Sequence, residues 1–216
     1  MGDFSQSVYL ISVMALPFLL AITLHEAGHA YASHFLGDKS QESSGRLSFN
    51  PLVHLDPFGS VAMPLIAIFT GFPFLIGYAK PVIIHPRWYK KVRRDMILVA
   101  LAGPCGNLVV AIFCAYVLRF ATGFGMDGNS WLVQTMTYGI FMNCLFMVFN
   151  LLPIPPLDGG GIVEQLLPYE LAQKYSSIAP YGIFILMAIV VFAKPVILVP
   201  TFFFSGLVAA LVGAPW

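Results

Sequence analysis

Charge is scarce in this sequence. Only 10% of its 216 residues are Asp, Glu, Lys or Arg, and eleven basic against ten acidic side chains leave a net charge of +1. A chain so nearly neutral offers no basic face for nucleic acid, and that class of partner is excluded. Cysteine is scarce as well: Cys105, Cys114 and Cys144 are odd in number and all lie in apolar stretches, so they form no disulfide framework and are expected to be packing residues. The first apolar stretch is preceded by Asp3 but by no Lys or Arg, and it is too long for a secretory signal, so it is expected to stay as a span. No internal repeat or low-complexity tract is visible.

What fills the space left by charge is hydrocarbon. Apolar residues make up 58% of the chain and the mean hydropathy is +0.83, far from an ordinary soluble domain. The sequence predicts an all-α polytopic membrane protein, a single integral-membrane domain over residues 1–216. Its length gives room for about four to six spans of about 20 residues.

The most informative stretch is residues 24–30, L-H-E-A-G-H-A, inside the apolar run 8–36. Two histidines four apart on a helix project from one face about a turn apart, so His25 and His29 can hold one metal ion with Glu26 beside it. An ionisable residue in a membrane span is disfavoured by about 2.5–3.5 kcal/mol on insertion scales, and three together call for a function. A catalytic zinc takes three protein ligands, often two His and a carboxylate, and keeps one position open. Asp158 is the best third ligand, a carboxylate in an apolar neighbourhood on a proline- and glycine-rich break; Asp3, Asp38, Asp56, Asp95, Asp127 and Glu164 lie on loops, ends or a surface helix. Glu26 would then be the general base, and Glu26→Gln is expected to keep metal and lose turnover.

Orientation follows from the basic residues. Lys80, Arg87, Lys90, Lys91, Arg93 and Arg94 crowd one loop, which the positive-inside rule puts in the cytoplasm. The span at 96–120 leaves from there and the span at 131–152 returns, bringing Asp158 near the cytoplasmic end. For His25 and His29 to share its depth, the first span must end on the same side. Residues 59–78, apolar but broken by Pro64, Gly71, Pro73 and Gly77, then form a re-entrant hairpin with its tip at 70–73, or a short β element; the alternative is a plain span with the first one inverted. Residues 162–177 predict a short interfacial helix, and 181–192 and 196–212 the last apolar pieces. Residues 77–85, G-Y-A-K-P-V-I-I-H, could serve as an edge that captures an unwound substrate by main-chain pairing.

H-E-A-G-H from His25, A-G-P-C-G-N over residues 102–107 and F-N-L-L-P-I-P-P-L-D-G-G over residues 149–160 together resemble the site-2 protease family of intramembrane zinc metalloproteases. R-L-S-F-N-P-L-V-H-L-D-P-F-G-S from Arg46 and G-Y-A-K-P-V from Gly77 are similar to its compact bacterial branch, which lacks PDZ and CBS domains. The resemblance implies Zn2+ held by His25, His29 and Asp158, with Glu26 as base. It implies for Asn150 a part in substrate handling near the metal, where an amide can hold a substrate strand or stabilise an oxyanion; an interhelical hydrogen bond is the other reading. Asn107 falls in the same bracket, with the structural role preferred. His54 is either a second-layer or gating residue for the metal or simply a loop histidine. The implied partners are a transmembrane protein substrate, the lipid bilayer and a regulatory membrane protein, and the implied location is a bacterial inner membrane with the site towards the cytoplasm. A metal-ion transporter and a non-catalytic zinc-binding scaffold are the rival readings. The first would want ligands along a path and repeated halves, and the second would lose nothing with Glu26→Gln.

Overall fold

A computed structural model describes residues 4–70 and 79–216. The first helix, α1, runs over Phe4–Phe35 and begins four residues earlier than expected, since its apolar run contains no stop signal and Pro17 does not end it. Three short helices follow: α2 at Ser40–Ser43, α3 at Pro51–His54 and α4 at Met63–Thr70. Asn50 starts α3 by accepting from Leu52 N, with proline at the first helical position. Asp56 likewise caps a π-helical segment at Pro57–Ala62, accepting from the Phe58 and Gly59 amides.

Two long helices form the centre. These are α5 at Val92–Gly123 and α6 at Trp131–Asn150, the second stopping just short of Pro153. Beyond it come α7 at Asp158–Leu166, α8 at Tyr169–Ser176, α9 at Gly182–Phe192 and α10 at Pro195–Val212. The single interfacial helix expected at 162–177 is therefore two, because Pro168 has no N–H to continue the ladder. Its first part also starts earlier, at Asp158 itself.

Among the described residues, five helical segments are long and apolar enough to cross a membrane: Phe4–Phe35, Val92–Gly123, Trp131–Asn150, Tyr169–Phe192 and Pro195–Val212. Their outer faces carry bare hydrocarbon, as at Val109, Phe113, Tyr116 and Phe120 along α5, all more than half exposed and three or four residues apart. A surface of that kind suits lipid, and the chain is an integral membrane protein built only from helices in its described part. Cys114 and Cys144 are buried in the main core with Leu118, Met136, Ile140 and Val208, as packing residues should be. Cys105 is exposed and does not share that role.

Helices α1 and α5 run antiparallel and very close. A methyl group on Gly28 would stand 2.5 Å from Ala102 O, and one on Gly106 would stand 2.4 Å from Leu24 O, so only glycine lets the two backbones meet. Helix α6 runs parallel to α1: Trp131 Nε1 donates to Ser12 Oγ near one end, and the Phe146 ring packs on Phe18 farther along. The end of α1 and the start of α5 thus lie on one side. Lys80 N donates to His54 O at 2.9 Å, so residue 80 lies beside the end of α3. The expected tip at 70–73 lies, apart from Thr70, outside the described residues. So do Gly77 and Tyr78 of the expected edge, and residues 79–85 form no strand.

Candidate metal centre

The spacing of His25 and His29 on α1 brings their rings together edge to face, with centroids 4.7 Å apart. Helices α5 and α6 then fix how each ring is turned. His29 Nδ1 lies 2.8 Å from Val99 O, and His25 Nδ1 lies 2.8 Å from Asn107 Oδ1. Asn107 is itself oriented from behind, since its Nδ2 donates to Ala21 O and to Asn143 Oδ1. Asn143 in turn donates to Gly139 O. Both imidazoles therefore face oxygens that can only accept, so both carry their proton on Nδ1.

One consequence decides the chemistry of the site. The two Nε2 atoms point their lone pairs into the same space, 3.1 Å apart. Asp158, the first residue of α7, brings its carboxylate to the same point: Oδ2 is 3.3 Å from His25 Nε2 and Oδ1 is 3.4 Å from His29 Nε2. A methyl group on Gly159 would meet Leu151 O at 2.3 Å, and it is this tight seat that lets α7 start here. Asp158 Oδ2 is buried with no hydrogen-bond partner.

Two lone pairs and a carboxylate converging without a donor need a cation. Tetrahedral ligands about 2.0–2.1 Å from a zinc ion stand about 3.3–3.4 Å from one another, close to the spacings found here. The residues present fit the metal. Among the described residues this trio is the group of His, Cys, Asp and Glu side chains able to share an ion. Asp38 and Asp56 are instead engaged with neighbouring loop amides, and Asp95 with Lys91 N and Arg94.

The space above the trio is narrow. A methyl group on Gly103 would lie 2.3 Å from His29 Nε2, so α5 must present a bare backbone there. Glu26 is buried on α1, and its Oε2 accepts from Val82 N at 3.2 Å. His54 is fully buried, with Nε2 2.8 Å from Ser48 O; it joins the loop rather than the trio. Asn150 donates through Nδ2 to Phe146 O, one turn back on its own helix. Asn143, Val99 and Gly103 were not anticipated. Only Asn143 carried a signal, being an amide in an apolar span.

A helical membrane bundle that converges two imidazoles, a carboxylate and a neighbouring glutamate in its interior belongs to the class of membrane-embedded metallopeptidases. The profile of peptidase family M50 matches residues 126–193. The chain is 33% identical over 186 residues to "Putative zinc metalloprotease YwhC" of Bacillus subtilis, an alignment covering 84% of this chain and 81% of that protein. It is 32% identical over 203 residues to "Putative zinc metalloprotease Rip2" of Mycolicibacterium smegmatis, covering 91% and 75%. Rip2 of Mycobacterium tuberculosis strain Erdman is 32% identical over 179 residues, covering 82% and 65%. No solved structure matches. The chain belongs to peptidase family M50, the site-2 protease family of zinc metalloproteases.

Proposed function

We propose that this protein is an intramembrane zinc endopeptidase that cuts transmembrane segments of other membrane proteins near the cytoplasmic side of a bacterial inner membrane. The observation that carries the proposal is the meeting of the His25 and His29 Nε2 lone pairs with the Asp158 carboxylate inside an apolar bundle. These three would hold Zn2+, as the names of the relatives suggest. When bound, zinc supplies the Lewis acidity that polarises a scissile carbonyl and makes water acidic near neutral pH.

The remaining work falls to the chain. Glu26 takes a proton from the attacking water as the new C–O bond forms, and gives it to the nitrogen as the C–N bond breaks. Val82 N–H holds the carboxylate in place through its hydrogen bond to Oε2. Asn107 acts by fixing the tautomer and tilt of His25. Asn150 uses one amide N–H on Phe146 O and has a second to offer a substrate carbonyl. His54 holds the joint between the end of α3 and Lys80. The whole chain works as one domain, and a substrate helix must unwind before one of its peptide bonds can reach the trio. A regulatory membrane partner would control that entry.

The test is a comparison of membrane proteomes from cells carrying wild-type and Glu26→Gln protein. A membrane protein that accumulates uncut only with the variant supports the proposal. Identical proteomes, with both proteins present at equal level, contradict it.

A further inference from the structure

A concave site that shares no residue with the trio lies against residues 80–85. It is a cavity of about 500 Å³ lined by Ser40, Ser43, Ser44, Arg46, Lys80, Ile83 and His85. No acidic side chain is in that lining. Arg46 is half-buried and carries five N–H groups, of which three donate to Val53 O, Lys80 O and Pro81 O. Two remain. No ion pair with a carboxylate is found at Arg46 or Lys80 among the described residues.

The Asp38 carboxylate behind the wall is already committed. Asp38 is fully buried and takes hydrogen bonds from Ser33, Ser40, Gln41 and the His85 amide, which holds Ser40 and His85 in the cavity wall. The serine hydroxyls also donate elsewhere, to Asp38, Ser40 O and Gln41 O, so none has an O–H left for a ligand. Recognition in this cavity therefore belongs to Arg46, which its three hydrogen bonds hold in place, and to the exposed Lys80, with His85 as a third donor.

We infer that the cavity binds a phosphate-type oxyanion, held between Lys80, the remaining N–H groups of Arg46 and the His85 ring. Guanidinium and ammonium groups match phosphate oxygens in geometry and charge. The source is either the headgroup of an anionic phospholipid or free phosphate, because Lys80 belongs to the basic run 80–94 that the positive-inside rule assigns to the cytoplasmic face. Occupancy would also steady residues 80–82, where the Lys80 and Pro81 carbonyls rest on Arg46 and the Val82 amide holds Glu26. That coupling, unlike the binding, rests on the protease reading.

The test measures binding directly. Full-length protein in a neutral detergent is titrated with inorganic phosphate by calorimetry. The same protein is released from phosphatidylcholine nanodiscs, with and without phosphatidylglycerol, and its retained phospholipid is counted by native mass spectrometry. Saturable phosphate binding assigns free phosphate, and one phosphatidylglycerol retained per chain assigns the lipid; Lys80→Gln should weaken either about tenfold or more, and Lys80→Arg should restore it. Lys90→Gln, in the same basic loop but outside the cavity, should leave it unchanged. Failure of both probes to bind, or an equal loss with Lys90→Gln, overturns the proposal. Binding that persists in a chain shown not to cleave substrates would leave the anion site standing while the protease reading falls.

Discussion

Val82 donates its main-chain N–H to Glu26 Oε2 at 3.2 Å, so the loop before α5 reaches across to the middle of α1 and touches the residue beside the two histidines. This contact ties the position of the proposed base to a segment that has no regular structure of its own. It predicts that Val82→Pro, which removes the donor and also restricts the backbone at 81–82, lowers kcat about tenfold or more, since a hydrogen bond to a charged group is worth about 1.5–3 kcal/mol. Zinc content should stay at one per chain. Unchanged kcat in a peptide-cleavage assay would remove Val82 from the account.

The relay from Gly139 O through Asn143 and Asn107 to His25 makes a second prediction. Asn107→Leu frees the His25 ring to turn and should weaken zinc affinity about 10–100-fold, the usual effect of losing such a support. Asn143→Leu should act in the same direction but less, because Asn107 keeps its bond to Ala21 O. Competition with a chelator of known affinity measures both.

Gly103→Ala tests how tightly α5 is pressed over the trio. The added methyl group would lie 2.3 Å from His29 Nε2 and 2.8 Å from His25 Cε1, so a ring or a helix must move. We expect loss of bound zinc together with about 1–3 kcal/mol of stability. Metal analysis and thermal unfolding of the variant check the two effects separately.

Acid should loosen the loop that carries Val82. Burial by itself pushes the Asp38 carboxyl up, but the hydrogen bonds from Ser40, the His85 amide and Gln41 outweigh it and hold the group below its ordinary value near 3.8. A depressed folded-state value means the carboxylate stabilises the fold above about pH 4 and loses that contribution as pH falls through the folded value. Hydrogen exchange in residues 79–89 should therefore be flat from pH 7 to 5, after correction for intrinsic rates, and rise at lower pH. Asp38→Asn should show the faster exchange at pH 7 already.

The trio was legible because its information is local. Helical spacing puts His25 and His29 on one face, and Asp158 stood out as a carboxylate in an apolar neighbourhood. The re-entrant hairpin expected over 59–78 falls largely on residues outside the described part, and what is seen at its ends is that Lys80 N donates to His54 O. What supports the trio was not legible. The Val99 carbonyl, the bare Gly103 and the Asn107 to Asn143 link depend on how α1, α5 and α6 cross, and no periodicity within one helix encodes that. The break between α7 and α8 is a different case. Pro168 marked it, but the polar residues Glu164, Glu170 and Lys174 on either side suggested one continuous surface helix.

If His25 and His29 of α1 and Asp158 of α7 share one metal ion, purified wild-type protein carries one zinc per chain and Asp158→Ala close to none, with the helical content of both the same. Full zinc occupancy in Asp158→Ala, at unchanged affinity, would contradict it.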